Sequence, residues 1–326
     1  PPPVPEQAPS AQRLDVPFHP QDKYQCGPAA LAMALGASGH EVAPANLVDE
    51  VWLPERKGSL MLELRAAARA RERLVYPVGT PEALFAQIDA GYPVLVMQNL
   101  AFSFWPQWHF AVAIGYENDG ERIVLHTGTN RADGTHWNRF VRTWARADYQ
   151  GMVVMRPGEL PANAEPRELV RALNDLKDSA GPEAARPYWQ ATVERWPDHY
   201  LVQFGRGNLQ WALGEKEQAI QSFRKAVEIR PDAASAWNNL AEAWRQVGCT
   251  QKARKAIQKA LELAPERDYI EGSDSEERVG DVGRLAESNT ALLFASQAER
   301  LGVEVGDQLT VRAQTFSGVA NTADVT

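Results

Sequence analysis

A chain of 326 residues is longer than one ordinary compact core supports, so two or three folding units are expected. Its 44% hydrophobic and 23% charged residues are the proportions of a soluble globular protein and exclude a largely disordered one. A net charge of −8 without a Lys/Arg stripe excludes nucleic acid as the main partner, and no apolar run nears the roughly 20 residues that cross a bilayer.

In chain order, PPPVPEQAPSAQR (1–13) reads as an extended Pro-rich linker. That abrupt start, with no signal peptide, leads to the expectation of a mature form whose export or lipid-anchor segment has been removed. The first folded unit is expected over 14–157. Within it VPF (16–18) reads as an opening strand, and QCGPAALAMALG (25–36) as a helix that starts after Cys26 and closes at Gly36. Two helical patterns follow, ANLVDEVWL and SLMLELRAAARARER, the second with Ser59 as its N-cap. LVYPV is a short strand, and TPEALFAQIDAG (80–91) a helix capped by Thr80 and stopped at Gly91. PVLVMQ (93–98), FAVAIGY (110–116), RIVLHT (122–127) and GMVVMRP (151–157) read as strands, the middle two joined by the hairpin signal Asn118-Asp119-Gly120. Helices first and antiparallel strands after make an α+β pattern.

Residues 158–267 carry a repeat. Segments of 34 residues end at Pro197, Pro231 and Pro265. Twelve before each proline stand Ala185, Ala219 and Ala253, and eight before stand Trp189, Phe223 and Ile257. Gly214 and Gly248 mark the turns of the later copies. This spacing is similar to the tetratricopeptide pattern, a helix–turn–helix unit, with copies at 166–199 (degenerate), 200–233 and 234–267. On the first helices Asn208, Asn238, Glu242 and Arg245 fall where such arrays line a groove, which makes them candidates for peptide contacts. Residues 268–284 read as a flexible acidic linker. The run 285–326 reads as a helix, a turn at Gly306-Asp307 and a strand. It resembles a segment of the periplasmic core domain of ABC permeases of the macrolide-exporter and lipoprotein-releasing type, which implies a permease partner, a tethered partner fragment or a natural appendage.

Two cysteines, Cys26 and Cys249, lie too far apart in chain and context for a disulfide framework, and exclude a Cys-based zinc site. His19, His40, His136 and His199 lack metal-ligand spacing, so no metal or organic cofactor is expected. Cys26 stands at a helix start, where free N–H groups and the helix dipole favour a thiolate. A thiolate nucleophile needs a base, and His109, in WPQWHFAVAIGY at the head of an apolar strand, is the candidate. Trp105 and Trp108 beside it are candidates for lining a substrate cleft.

The stretches Q-x4-CGPAALAMAL, GYPVLV and WHFAVAIGY resemble the C39-like peptidases, relatives of leader peptidases fused to bacteriocin exporters. The resemblance covers residues 15–157. It implies a papain-like fold, a Cys26–His109 pair, and Gln21 as an oxyanion-hole donor with Gln25 as the alternative. It also implies an Asp or Asn one hairpin after the histidine. The corresponding IVLHTGTN has His126 or Thr127 at that place and Asn130 further on; His126 is the expected third member, Asn130 the alternative. The expectation for the whole chain is an α+β papain-like domain followed by an all-α tetratricopeptide array and a short α/β tail. Its function is expected to be that of a thiol peptidase acting on extended peptide segments, or of a weakly active or inactive adaptor beside an ABC-type permease. The expected location is the periplasm or cell envelope of a bacterium.

Overall fold

The computed structural model describes residues 2–5, 10–21, 25–56, 58–102, 104–263, 309–314 and 320–325. The chain divides into two compact units, 1–192 and 193–326. The expected acidic linker and the helical part of the C-terminal segment lie outside the described residues. Of that segment the structure shows an antiparallel hairpin, Leu309–Gln314 with Ala320–Val325.

In the first unit, strand β1 (Gln12–Arg13) precedes helix α1 (Cys26–Ala37). VPF forms no strand. Val16 instead packs into the core while its carbonyl accepts from the His126 ring at 3.1 Å, so side-chain burial rather than ladder pairing holds this segment. ANLVDEVWL resolves into a 3-10 turn, Pro44–Leu47, and one short turn of helix, α2 (Val48–Val51). Helix α3 (Met61–Arg69) starts one residue later than expected. Leu60 is its N-cap and Ser59 makes no cap bond; the Ser59 hydroxyl is buried against Gly27 instead. Helix α4 (Pro81–Asp89) has its expected cap, with Thr80 Oγ1 accepting from the Ala83 N–H at 3.1 Å.

The strands β2 (Leu74–Pro77), β3 (Val94–Asn99), β4 (Trp108–Glu117), β5 (Arg122–Thr127), β6 (Asn130–His136) and β7 (Gly151–Met155) form one antiparallel sheet. Their order is β2-β7-β3-β4-β5-β6, with β1 added against β4. Helix α1 is apolar nearly all round, as a helix buried on every side must be. It packs with Leu95, Met97, Phe110, Val112, Val124 and Met152 in one core. A second cluster joins Phe85 of α4 to Tyr116 of β4 and to Trp137, Phe140 and Trp144 of helix α5 (Trp137–Ala145), with ring centroids 4.9–5.9 Å apart. Strand β6 and helix α5 are additions to the expected pattern. The apolar spacing of WNRFVRTW was the available signal for α5.

Helices α6 (Pro166–Ala180) and α7 (Pro182–Arg195) make the degenerate first repeat, and almost all of it belongs to the first unit. The Tyr188 hydroxyl accepts from the Leu74 N–H at 3.1 Å and donates to the Met155 carbonyl at 3.0 Å. Arg69 pairs with Asp175 at 2.6 Å, and the Glu165 N–H donates to the Tyr76 hydroxyl at 3.0 Å.

The second unit contains two helical hairpins, α8 (Tyr200–Ala212) with α9 (Lys216–Ile229), and α10 (Ala234–Gln246) with α11 (Thr250–Leu263). The repeat positions Ala219, Phe223, Ala253 and Ile257 are all buried. Gly214 and Gly248 have positive φ at the inter-helix turns. A methyl at Gly207 would come within 2.5 Å of the Phe223 ring, so the approach of α8 to α9 requires glycine there. No described helix is long and apolar enough to cross a membrane.

Candidate active site

Cys26 is the first residue of α1. The first N–H groups of a helix have no intrahelical acceptor; here Pro28 contributes none, and helical bonding begins with Ala29 N–H to Gln25 at 3.2 Å. The Cys26 thiol is mostly buried. Burial pushes its pKa up, while the backbone N–H groups of Phe110, Gly27 and Cys26 itself pull it back part of the way. The sulfur therefore lies against the Phe110 amide, one residue from His109, and the fold brings the start of α1 to the start of β4.

His109 pairs across the sheet with Gln98, whose amide is fixed by Thr143 at 2.6 Å. Burial pushes the His109 pKa down. Its Nε2 shares a 2.7 Å hydrogen bond with Thr127 Oγ1. Among the described residues no hydrogen bond joins the Cys26 sulfur to the His109 ring. Raised thiol and lowered imidazole pKa values both favour a neutral pair over a thiolate–imidazolium pair.

The expected orienting group is corrected by this geometry. His126 is buried and turned away from His109: its Nε2–H donates to the Val16 carbonyl at 3.1 Å, its Nδ1 accepts from the Ala132 N–H at 3.1 Å, and Phe18 packs edge-on against it. His126 is thus engaged by Val16 and Ala132, while the next residue, Thr127, meets the His109 ring. Asn130, the alternative, is exposed and pairs with Thr127 only through the strand register. Gln21 is held at the turn after Thr127, its N–H donating to Gly128 at 3.2 Å, with its side-chain amide beside Gly128. Gln25 occupies the N-cap position of α1 without a side-chain cap bond. Trp105 stands 76% exposed on the β3–β4 loop, and Trp108 is 48% exposed at the strand head.

Residues 13–152 match the model of the Peptidase_C39 like family. This stretch of the first unit is similar to a C39-like peptidase domain. Residues 171–234 and 234–267 match tetratricopeptide models, so repeats follow the C39-like domain. Among solved structures, a protein described as a C39-like peptidase from Bacillus anthracis is 18% identical over 45% of this chain and 98% of its own, with a TM-score of 0.37. The peptidase domain of Streptococcus ComA, a bi-functional ABC transporter involved in quorum sensing, is 20% identical over 44% and 98%, with a TM-score of 0.35. The tetratricopeptide repeat-containing protein trd-1 of Caenorhabditis elegans is 31% identical over 88 residues; the match covers 27% of this chain and 11% of that relative's length. No family match extends to the expected permease-like segment.

In the repeats, the Asn239 amide donates to Asn208 Oδ1 at 2.9 Å, tying α10 to α8. Glu242 and Arg245 form a two-pronged pair at 2.8 Å. Burial raises the Glu242 pKa, but the donors Arg245 and Gln246 together outweigh it and hold the carboxyl below its ordinary value. Asn208, Glu242 and Arg245 are thus engaged within the array, and Asn238 is exposed. Among the described residues no group of three or more His, Cys, Asp or Glu is placed to hold a metal ion.

Proposed function

We propose that the C39-like domain is a thiol peptidase that cuts extended peptide segments, with the repeats recruiting a substrate or partner protein. The observation that carries this reading is the meeting of Cys26, on the free N-terminal end of α1, with the head of β4, where His109 is held by Thr127. In this reaction His109 takes the Cys26 proton as the sulfur attacks the scissile carbonyl, then returns it to the leaving amine. Water, activated by the same ring, adds to the acyl-enzyme and releases the carboxylic acid. The N–H groups of Cys26 and the Gln21 amide supply the oxyanion donors. Thr127 accepts from Nε2–H as the ring becomes positive, a weaker partner than a carboxylate.

A second reading has its own support. A neutral hydroxyl in the orienting position and a Cys26 sulfur without a hydrogen bond to His109 suit a weakly active or inactive adaptor. Such an adaptor would work beside an ABC-type permease in the bacterial cell envelope, a partner and place that rest on the resemblance of residues 285–326 alone.

Alkylation of Cys26 by iodoacetamide against pH, in the wild type and in His109→Ala, tests the first reading. Enhanced reactivity near neutral pH that disappears in the variant supports a working pair. Slow alkylation with the same profile in both proteins favours the adaptor, and a pull-down with an isolated permease periplasmic domain then becomes the decisive experiment.

A further inference from the structure

The loop between β3 and β4 is not used by the chemistry above. From Leu100 to Trp108 its sequence is LAFSFWPQW, nine residues without a charged side chain. Leu100 is 45% exposed, Phe102 68%, Phe104 85%, Trp105 76% and Trp108 48%. Leu62 is the one other large apolar side chain so exposed among the described residues.

This loop is built to hold its rings outward. Asn99, buried at its base, accepts through Oδ1 from the Ala101 N–H at 3.1 Å and the Gln107 N–H at 3.0 Å. Leu100 N–H donates to Gln107 at 2.9 Å, and Trp105 N–H to Phe102 at 3.1 Å. The Arg146 guanidinium donates twice to the Asn99 carbonyl, at 2.9 and 3.2 Å. Phe102 and Phe104 stack with centroids 5.3 Å apart. The base of the loop is therefore held by hydrogen bonds before anything covers its rings, which spares part of the cost of ordering it on contact.

Its shape selects the occupant. Side chains lining a peptide groove lose most of their exposure to the groove walls, whereas Phe102, Phe104 and Trp105 keep 68–85% of theirs, as protruding side chains do. A bilayer surface covers protruding side chains from all sides, and tryptophan and phenylalanine suit the boundary between headgroups and acyl chains. The loop has no Lys or Arg to prefer anionic lipid, and the chain carries a net charge of −8. We propose that Leu100, Phe102, Phe104, Trp105 and Trp108 dock this protein, reversibly, on a zwitterionic lipid surface. Because the loop runs directly into His109, docking sets the head of β4 against the bilayer.

The test uses the full chain and phosphatidylcholine vesicles. Wild type is expected to sediment with the vesicles, with little dependence on salt, and to lose tryptophan emission when the acyl chains carry bromine. Phe104→Ala/Trp105→Ala is expected to bind at least tenfold more weakly at an unchanged thermal midpoint, and Cys26→Ala to bind as wild type. Because no readout depends on cleavage, the outcome is independent of whether the chain is a peptidase. The proposal is overturned if wild type stays in the supernatant at millimolar lipid, or if the double variant binds equally. It is also overturned if binding appears only with anionic vesicles and vanishes in salt, or if apolar peptides, and not lipid, perturb the loop tryptophans.

Discussion

The His109 ring meets a neutral hydroxyl, that of Thr127, and in the proposed mechanism this hydroxyl stands where a carboxylate would stabilise an imidazolium. With the thiol pKa raised and the imidazole pKa lowered, the pair rests neutral, and kcat/KM on a cleaved peptide is expected to rise as His109 deprotonates, at a pH below its ordinary 6.5. Thr127→Asp is expected to shift the onset of Cys26 alkylation to lower pH by about one unit, the effect of one nearby carboxylate, whereas Thr127→Val slows alkylation at every pH. Equal profiles in all three proteins would remove Thr127 from the site. His126 gives a second pH effect, on stability. Its Nδ1 already accepts from Ala132 and it is buried, so protonation sets two donors face to face. Burial lowers the pKa of both His126 and His109 in the fold, so the folded state binds fewer protons than the unfolded chain. Stability is complete above pH 6.5 and is lost as pH falls through the folded-state values. Thermal melts at pH 7.5 and 5.0 should show that loss, and His126→Asn should make it smaller.

At the scale of elements, the continuous apolar runs of β3, β4 and β5 and the 34-residue period placed most helices and strands within a residue or two. Strand β6 was missed because its sequence, NRADGTH, lacks the apolar alternation that marks a strand; it is held by pairing to β5. Packing makes the repeats sensitive at their closest approach. Gly207→Ala puts a methyl against the Phe223 ring and is expected to cost about 1–3 kcal/mol, read as a lower denaturation midpoint of the second unit. An unchanged midpoint would show that α8 and α9 separate freely.

For the whole molecule, the instructive boundary is the one at residue 192. The first repeat has the length and proline of its successors, yet Tyr188 binds the backbone of β2 and β7, and burial pushes that hydroxyl's pKa up to about 12. A chain ending at 157 exposes the sheet edge that Tyr188 covers and leaves the Leu74 N–H without its partner, at about 1–3 kcal/mol for that group alone. It is therefore expected to melt several degrees below a chain ending at 199, by circular dichroism. Equal midpoints would mean that the first hairpin belongs to the array and not to the C39-like domain.

By itself the sequence determined what local pattern can carry: a cysteine at a helix start, a histidine at a strand head, the succession of helices and strands, and the period of the repeats. The tertiary structure decided what rests on pairing between distant segments. The pairing of β5 with its neighbours turns Thr127 rather than His126 to the His109 ring. The backbone groups of β2 and β7 that Tyr188 satisfies lie more than thirty residues away in sequence, so no local pattern in α7 announces which unit it joins. Trp105 and Trp108 read in sequence as candidates for lining a cleft, whereas their exposure rests on the Asn99 bonds at the base of the loop, which no local pattern announces.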